Sequence, residues 1–337
     1  MAGKKNKKHI GLDIGSSSLK IMEVSSDKEV RTIENIGVQE LPAGPLEETL
    51  PSSLKTLIEN TGITAKEVNI SISGSAVVVR FVELPIMQPS ELSQAVSYEA
   101  EKYMPFDMNE IILDYAVLEK DQASKKMKII LVGAKKDFVE KRIKLIEEAG
   151  LAPNIIDVDS FAIFNSFINN VNREERGSKT VALLNMGAHL TSMIIASGDV
   201  PWMVRDINLG DADLTQVLKE KLDIDTEEAE RLKENPGERA SEILGILMGI
   251  FQKLIDEVRL SFNYYENQYG KGVDEVYVSG GSIKIEGLIP FLKESTGMEF
   301  KQWDPLSSFT VNPKIPQGKL DKIRSLFAVC SGLTLRK

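Results

Sequence analysis

Residues 11–20 read GLDIGSSSLK: an apolar lead-in, an aspartate between two glycines, then three serines and a lysine. Two readings fit these residues. One is an ordinary hairpin, with a serine-rich turn joining HIGLDIG to LKIMEV. The other is a loop cleared of side chains so that an anion can approach. Gly15 has no Cβ to keep a phosphate away from the backbone. Successive N–H groups at such a turn form an anion-binding concavity, and Ser16, Ser17 and Ser18 add hydroxyl donors. Lys20 supplies positive charge. Asp13 fits beside a phosphate only with a hard cation between them, as magnesium is usually held.

Outward from this stretch the chain alternates between strand and helix patterns. RTIENIGVQEL is expected as a third strand, LPAGPLEETLP as a loop leading into a helix over about 50–62, and EVNISIS as a buried strand ending at Gly74. Residues 77–157 then read as a self-contained module in the order β-α-β-β-α-β, with Ser90 as the expected N-cap of its first helix, Gly150 as the C-cap of its second and PNIIDV as its closing strand. Near Thr180 a second strand–glycine turn–strand unit appears, VALLNMGAHLTSMIIASG. A hairpin repeated about 170 residues later points to two related halves. Helices are expected over 213–222, 226–234 and 238–269, followed by strand, glycine turn and helix in DEVYVSGGSIKIEGLIPFLKES and a last helix in IRSLFAVCSGLTL.

Composition narrows the function classes. At 337 residues, 42% apolar and 27% charged, the chain has room for two domains with a sizeable core. A net charge of -9 argues against nucleic acid as the main partner. The single cysteine, Cys330, rules out an internal disulfide, and the two histidines, His9 and His189, make no zinc spacing. A reducing cytoplasm fits this usage. No apolar run is long enough to span a membrane, and Asp13 interrupts the stretch that would follow a signal-peptide start. Lys4, Lys5, Lys7 and Lys8 read as a solvated tail, with weak attraction to anionic headgroups as the lesser reading.

Three further stretches carry the same chemistry. LLNMGAHLTS, residues 183–192, repeats the glycine turn at Gly187 and the hydroxyls at Thr191 and Ser192; His189 on this turn reads equally as a surface or packed histidine. YVSGGSIKIEGL, residues 277–288, puts Gly280, Gly281 and Ser282 between a strand and a helix, a geometry that suits a flat ligand and also a common connection. AERLK, residues 229–233, sets Glu230 and Lys233 one helical turn apart, by itself a solvated pair.

In order and spacing these four stretches resemble the actin-like ATP-binding superfamily, and the resemblance covers nearly the whole chain. It implies an α/β chain of two RNase H-like domains flanking a nucleotide cleft. GLDIGSSSLK is similar to the first phosphate loop, LNMGAHLTS to the second, SGGSIKIEGL to the adenosine motif and AERLK to the helix that touches the nucleoside. Residues 159–162 and FAVCSGLTL resemble the two hinge helices. The inserted module resembles the 1C subdomain of FtsA and of the PilM family. The phrases LPIMQPSELSQAVSYEAEKYMPF and IIDVDSFAIFNSF are similar to PilM in particular. FtsA carries an amphipathic tail after its last hinge helix, for which this chain is expected to leave no room. The implied division is 1–76 with 158–178 and 320–337 as subdomain 1A, 77–157 as 1C, 179–206 with 272–319 as 2A, and 207–271 as 2B.

The resemblance also implies ligands and partners. ATP or ADP with magnesium is expected in the cleft: Asp13 (holding magnesium through water), Gly15, Ser16, Ser17 and Lys20 on one side, Asn185, Gly187, His189 and Thr191 on the other, and Glu230, Lys233, Gly280, Gly281 and Ser282 around the nucleoside. Hydrolysing members usually open the second loop with aspartate, and Asn185 cannot take up a proton, so turnover is expected to be slow or absent. The implied role is a scaffold of type IV pilus assembly, cytoplasmic and peripheral to the inner membrane, with no direct insertion into the bilayer. Its expected partner is the N-terminal cytoplasmic peptide of PilN, held in a groove near Val79, Phe81, Tyr103 and Phe106. Pilus assembly or retraction ATPases and the inner-membrane platform are further expected partners. A filament-forming FtsA-like protein, or a small-molecule kinase, is the competing class.

Overall fold

The computed structural model describes residues 7–27 and 30–336. In chain order the elements are β1 (Lys7–Ile14), β2 (Ser18–Asp27), β3 (Val30–Glu40), α1 (Leu46–Thr61), β4 (Glu67–Ile72), β5 (Val77–Pro85), α2 (Pro89–Tyr103), β6 (Ile111–Asp121), β7 (Lys126–Lys135), α3 (Lys136–Glu148) and β8 (Ala152–Val158). They continue with α4 (Asp159–Asn170), α5 (Arg173–Arg176), β9 (Thr180–Met186), β10 (Thr191–Ser197), β11 (Val200–Ile207), α6 (Asp211–Leu222), α7 (Thr226–Glu234) and α8 (Ala240–Tyr269). The last are β12 (Glu275–Gly280), α9 (Leu288–Thr296), β13 (Glu299–Gln302), β14 (Thr310–Val311), α10 (Gln317–Ile323) and α11 (Ala328–Thr334).

The two halves expected from the repeated hairpin are visible as one topology used twice. One sheet runs β3-β2-β1-β4-β8 with β14 added at its edge, and the other runs β11-β10-β9-β12-β13. In each, the first three strands pair antiparallel and the last three parallel. Both sheets are covered on both faces, which is why their strands read as nearly unbroken apolar runs. Side-chain alternation sorts the residues. Leu19 and Ile21 of β2 pack with Leu50, Leu54 and Leu57 of α1, while Met22 and Val24 pack with Phe327 and Cys330. In β9, Leu184 and Met186 face α8, while Val181 and Leu183 face Phe164 and Phe167 of α4.

Helices α4 and α11 therefore lie face to face between the sheets. Ser166 and Ser331 hydrogen-bond across them at 2.5 Å. A Cβ added to Gly332 would stand 1.8 Å from the Ala162 carbonyl oxygen, so the two backbones touch only because that residue is glycine. The buried side chain of Asn69 donates to the Leu333 carbonyl (3.0 Å), satisfying the end of α11 from β4. Trp303 packs edge-on to Phe167 of α4, with ring centroids 5.5 Å apart.

The insertion differs from its sequence reading. Only β5, β7 and β6 form its sheet, in that order, and the expected closing strand β8 pairs with β4 in the first large sheet. Helix α3 leaves the small sheet with Val139 packed on Ala134 and Ile72, and ends with Ile146 in the core beneath α1. This delivers β8 to the large sheet. Helix α2 starts at Pro89 with a capping box between Gln88 and Glu91, not at Ser90, because proline suits the first helical position. Across the molecule, Lys128 of β7 places its ammonium 3.7 Å over the Trp202 ring, which packs edge-on to Tyr269 of α8. The insertion thus touches the second half directly.

Of the lysine tail, Lys4 and Lys5 lie outside the described residues. Lys8 is not tail but strand, paired at 3.1 Å with the buried carboxylate of Glu23. Replacing Gly332 by alanine is expected to destabilise the protein by about 1–3 kcal/mol through overpacking. Gly245→Ala on α8, where an added Cβ meets nothing within 4 Å, is expected to stabilise it by ~0.5–1 kcal/mol. Urea unfolding of both variants checks the contrast.

Candidate functional site

Both glycine turns open into one cleft of about 620 Å³ between the large sheets. Their geometry matches. The Gly15 N–H donates to the Ser18 carbonyl at 3.1 Å, and the Gly187 N–H to the Leu190 carbonyl at 2.9 Å. At either glycine an added Cβ would lie 2.9 Å from that same carbonyl oxygen. Ser16 and Ser17 are exposed toward the cleft, and the Ser17 carbonyl accepts from the Leu41 N–H, which fixes the first turn to the end of β3.

Register makes the two turns comparable residue by residue. Asp13 stands opposite Lys20 across β1 and β2, and Asn185 stands opposite Ser192 across β9 and β10. The first pair is ionic, with Lys20 Nζ 3.3 Å from the Asp13 carboxylate. The second is neutral. Thr191 corresponds to the core residue Leu19, so it does not reach the cleft as expected. It is fully buried, and its hydroxyl donates to the Leu209 carbonyl at 2.7 Å. Ser192 takes its place in the cleft wall and donates to Asp206 at 3.0 Å.

At the far end Glu230, Lys233, Gly280, Gly281 and Ser282 line the same cleft. Gly280 has φ +104, and an added Cβ there would stand 2.2 Å from the Met186 carbonyl oxygen, so β12 closes tightly onto the second turn. Lys233 is 2% exposed rather than solvated. Its ammonium donates to Thr215 (2.7 Å), Glu230 (3.0 Å) and the carboxylate of Asp211. Asp211 in turn accepts from Ser282 at 2.8 Å. The sequence reading missed Asp211, whose backbone N–H donates to the Gly187 carbonyl at 2.9 Å. An acid opening a helix was its available signal.

Three more groups at the loop end were also missed as site residues: Asp159, Arg142 and the segment 73–76, whose Gly-Ser composition resembles the other turns. Burial pushes the Asp13 carboxyl above its ordinary value, Lys20 opposes this, and the neighbouring Asp159 adds to it. Asp206 is raised by burial too, against its bond from Ser192. His189 is exposed on the second turn and lines the cleft.

The four residues expected to grip a peptide do not converge. Val82 and Leu84 of β5 pack beneath α2, so alternation turns Val79 and Phe81 to the opposite face of the small sheet. Phe106 packs on the α2 side, with Lys135 4.8 Å over its ring, and Tyr103 is exposed at the end of α2.

The family model described as type IV pilus assembly protein PilM matches residues 11–337. Among solved structures, the PilM-PilN type IV pilus biogenesis complex is 27% identical with a TM-score of 0.86, covering 97% of this chain and 98% of that one. Ethanolamine utilization protein EutJ from Carboxydothermus hydrogenoformans is 13% identical with a TM-score of 0.59, covering 98% and 90%. MreB 5 of Spiroplasma citri bound to AMPPNP is 12% identical with a TM-score of 0.53, covering 98% and 96%. At such identities the last two show a shared fold alone, the actin-like ATPase fold. The family match begins at Gly11 in β1 and runs through both large sheets, the insertion and α11; the chain belongs to the type IV pilus assembly protein PilM family.

Proposed function

We propose that this chain is a nucleotide-binding scaffold of type IV pilus assembly, which holds the N-terminal cytoplasmic peptide of PilN and so is kept at the inner membrane by a protein partner. The observation that carries the nucleotide reading is the pair of matched glycine turns facing one cleft, with a polar cage at its other end. In such a cleft, the open N–H groups and hydroxyls of the turns take phosphate oxygens, and the Glu230, Lys233 and Gly281 end frames the nucleoside. The partner reading is supported by the likeness to a solved PilM-PilN complex over almost all of both chains. Among the described residues no helix is long and apolar enough to cross a membrane.

The residues fit magnesium of the kind that keeps its water. Among the described residues no group of three His, Cys, Asp or Glu is placed to hold a metal directly. Magnesium bound with a nucleotide is commonly held by one or two carboxylates plus phosphate and water. Asp13 and Asp159 would supply those carboxylates, and their mutual repulsion at the cleft floor favours a cation there. The bound ion would neutralise phosphate charge. Asn185 accepts a hydrogen bond from Ser279 at 2.9 Å and offers neither charge nor a place for a proton. Nucleotide therefore acts here chiefly as a clamp, favouring the closed cleft by binding it better than the open one.

Three outcomes test this reading. Phosphate release by the purified protein is expected below about 1 per second, and Asn185→Asp is expected to raise it by about tenfold or more, since a positioned acid–base group is commonly worth ~100-fold or more. Magnesium-dependent nucleotide affinity is expected to fall as pH drops from neutrality into the raised range of Asp13, above its ordinary 3.8. Protons then compete with magnesium for that carboxylate, so acid weakens binding; titration calorimetry at stepped pH measures it, and Asp13→Asn should flatten the profile. For the partner, Phe81→Ala is expected to weaken binding of a labelled PilN N-terminal peptide by about fivefold or more, because Phe81 belongs to no core cluster. Phe106→Ala should instead lower the melting temperature, since Phe106 packs against the core of the insertion.

A further inference from the structure

One donor at the loop end of the cleft has no acceptor. Arg142 stands on α3, the helix that joins the insertion to the first sheet, and lines the cleft with Asp13, Gly15, Ser16 and Asp159. Its Nη1 is buried without a hydrogen-bond partner. The guanidinium lies 5.5 Å over the ring of Phe138, one turn earlier on the same helix and also in the cleft wall. A buried guanidinium N–H with nothing to donate to is costly, and a native structure keeps such a group only for a reason. The cost is partly offset at longer range: burial lowers its proton affinity, while Asp159, Asp13 and Glu47 hold it up.

We propose that Arg142 receives the terminal phosphate of a nucleoside triphosphate, so that the cleft distinguishes triphosphate from diphosphate and transmits the difference to the insertion. This rests on the nucleotide reading above. The position favours a terminal phosphate because Arg142 lies beside Asp13 and Asp159, the carboxylates proposed for magnesium, whereas the Glu230–Lys233 cage is tied through Asp211 to the second turn. The chemistry favours it because a planar fork of N–H donors matches phosphate oxygens in pairs. The elements favour transmission. Val139, three residues before Arg142, packs on Ala134 of the small sheet, and Ile146, four residues after it, packs in the core of the first large sheet. A phosphate bound at Arg142 therefore fixes the helix between the peptide-bearing module and the nucleotide turns.

The test is calorimetric titration of the full chain with Mg-ATP and with Mg-ADP, on the wild type, R142Q, R142K and the exposed neighbour variant K141Q. R142Q is expected to weaken ATP by about tenfold or more and ADP by less than about threefold, as for loss of charge-assisted bonds to one phosphate. R142K should show a smaller loss with the same preference, and K141Q should leave both affinities unchanged. Equal losses for the two nucleotides, or none, overturn the proposal. If R142Q does not fold, the ATP-to-ADP ratio of R142K decides by the same criterion. A wild type that binds neither nucleotide overturns the nucleotide reading itself, and a wild type that binds both with R142Q unselective overturns only the role of Arg142.

Discussion

The backbones of α4 and α11 touch between the two large sheets, at Ala162 and Gly332, and the arrangement of everything else follows from that contact. Each helix belongs to a different sheet. Cys330 of α11 and Phe327, which precedes it, pack on Met22 and Val24, while Phe164 and Phe167 of α4 pack on β9 and β10. Because Gly332 puts no side chain between the helices at the crossing, the sheets are held close enough for two short turns to line a single cleft. Gly11 has the same purpose on the other side: a Cβ there would stand 2.3 Å from the Cys330 carbonyl oxygen. A bulkier residue at either glycine would part the sheets and widen the cleft beyond the reach of its own loops.

Repeating one topology twice gives the cleft its symmetry of shape, and the residues at matched positions remove the symmetry of charge. Asp13 and Lys20 make the first turn ionic; Asn185 and Ser192 make the second neutral. Asp159 adds to the desolvation that raises both Asp13 and Asp206. Lys233 is matched beside the second turn by Asp211 and Glu230. On the proposed reading, this distribution would favour one orientation of a polyphosphate, with its terminal phosphate toward α3 and its nucleoside toward α7.

Most of the fold was legible because glycine constraints are local. Gly15 and Gly187 announce turns through what they lack, and the alternation of β1, β2, β9 and β10 follows directly from the apolar runs around them. Which sheet a strand joins is not local: PNIIDV has the same pattern beside β4 as it would beside β6, and only the path of α3 decides. Site residues divide the same way. Thr191 looked like a loop hydroxyl, although aligning the two hairpins places it on Leu19, a core position. Arg142 was unreadable, since a charged residue on an amphipathic helix looks solvated until a distant segment covers it, whereas Asp211 could have been found as an acid opening a helix. That Val79 and Phe81 lie on the opposite face of the small sheet from Phe106 needed one further fact, which face of β5 α2 covers.

The chain has two tryptophans, and both sit at joints between its parts. Trp202 lies under Lys128 where the insertion meets the second half, and Trp303 stands edge-on to Phe167 of α4, between the two large sheets. Both indole N–H groups are buried without a partner; the Trp303 ring is buried and the Trp202 ring half-buried. Indole emission shifts with the polarity and charge around the ring. The unlabelled protein therefore carries its own optical gauges, one where β11 meets the insertion and one beside α4, separable by replacing either ring with phenylalanine.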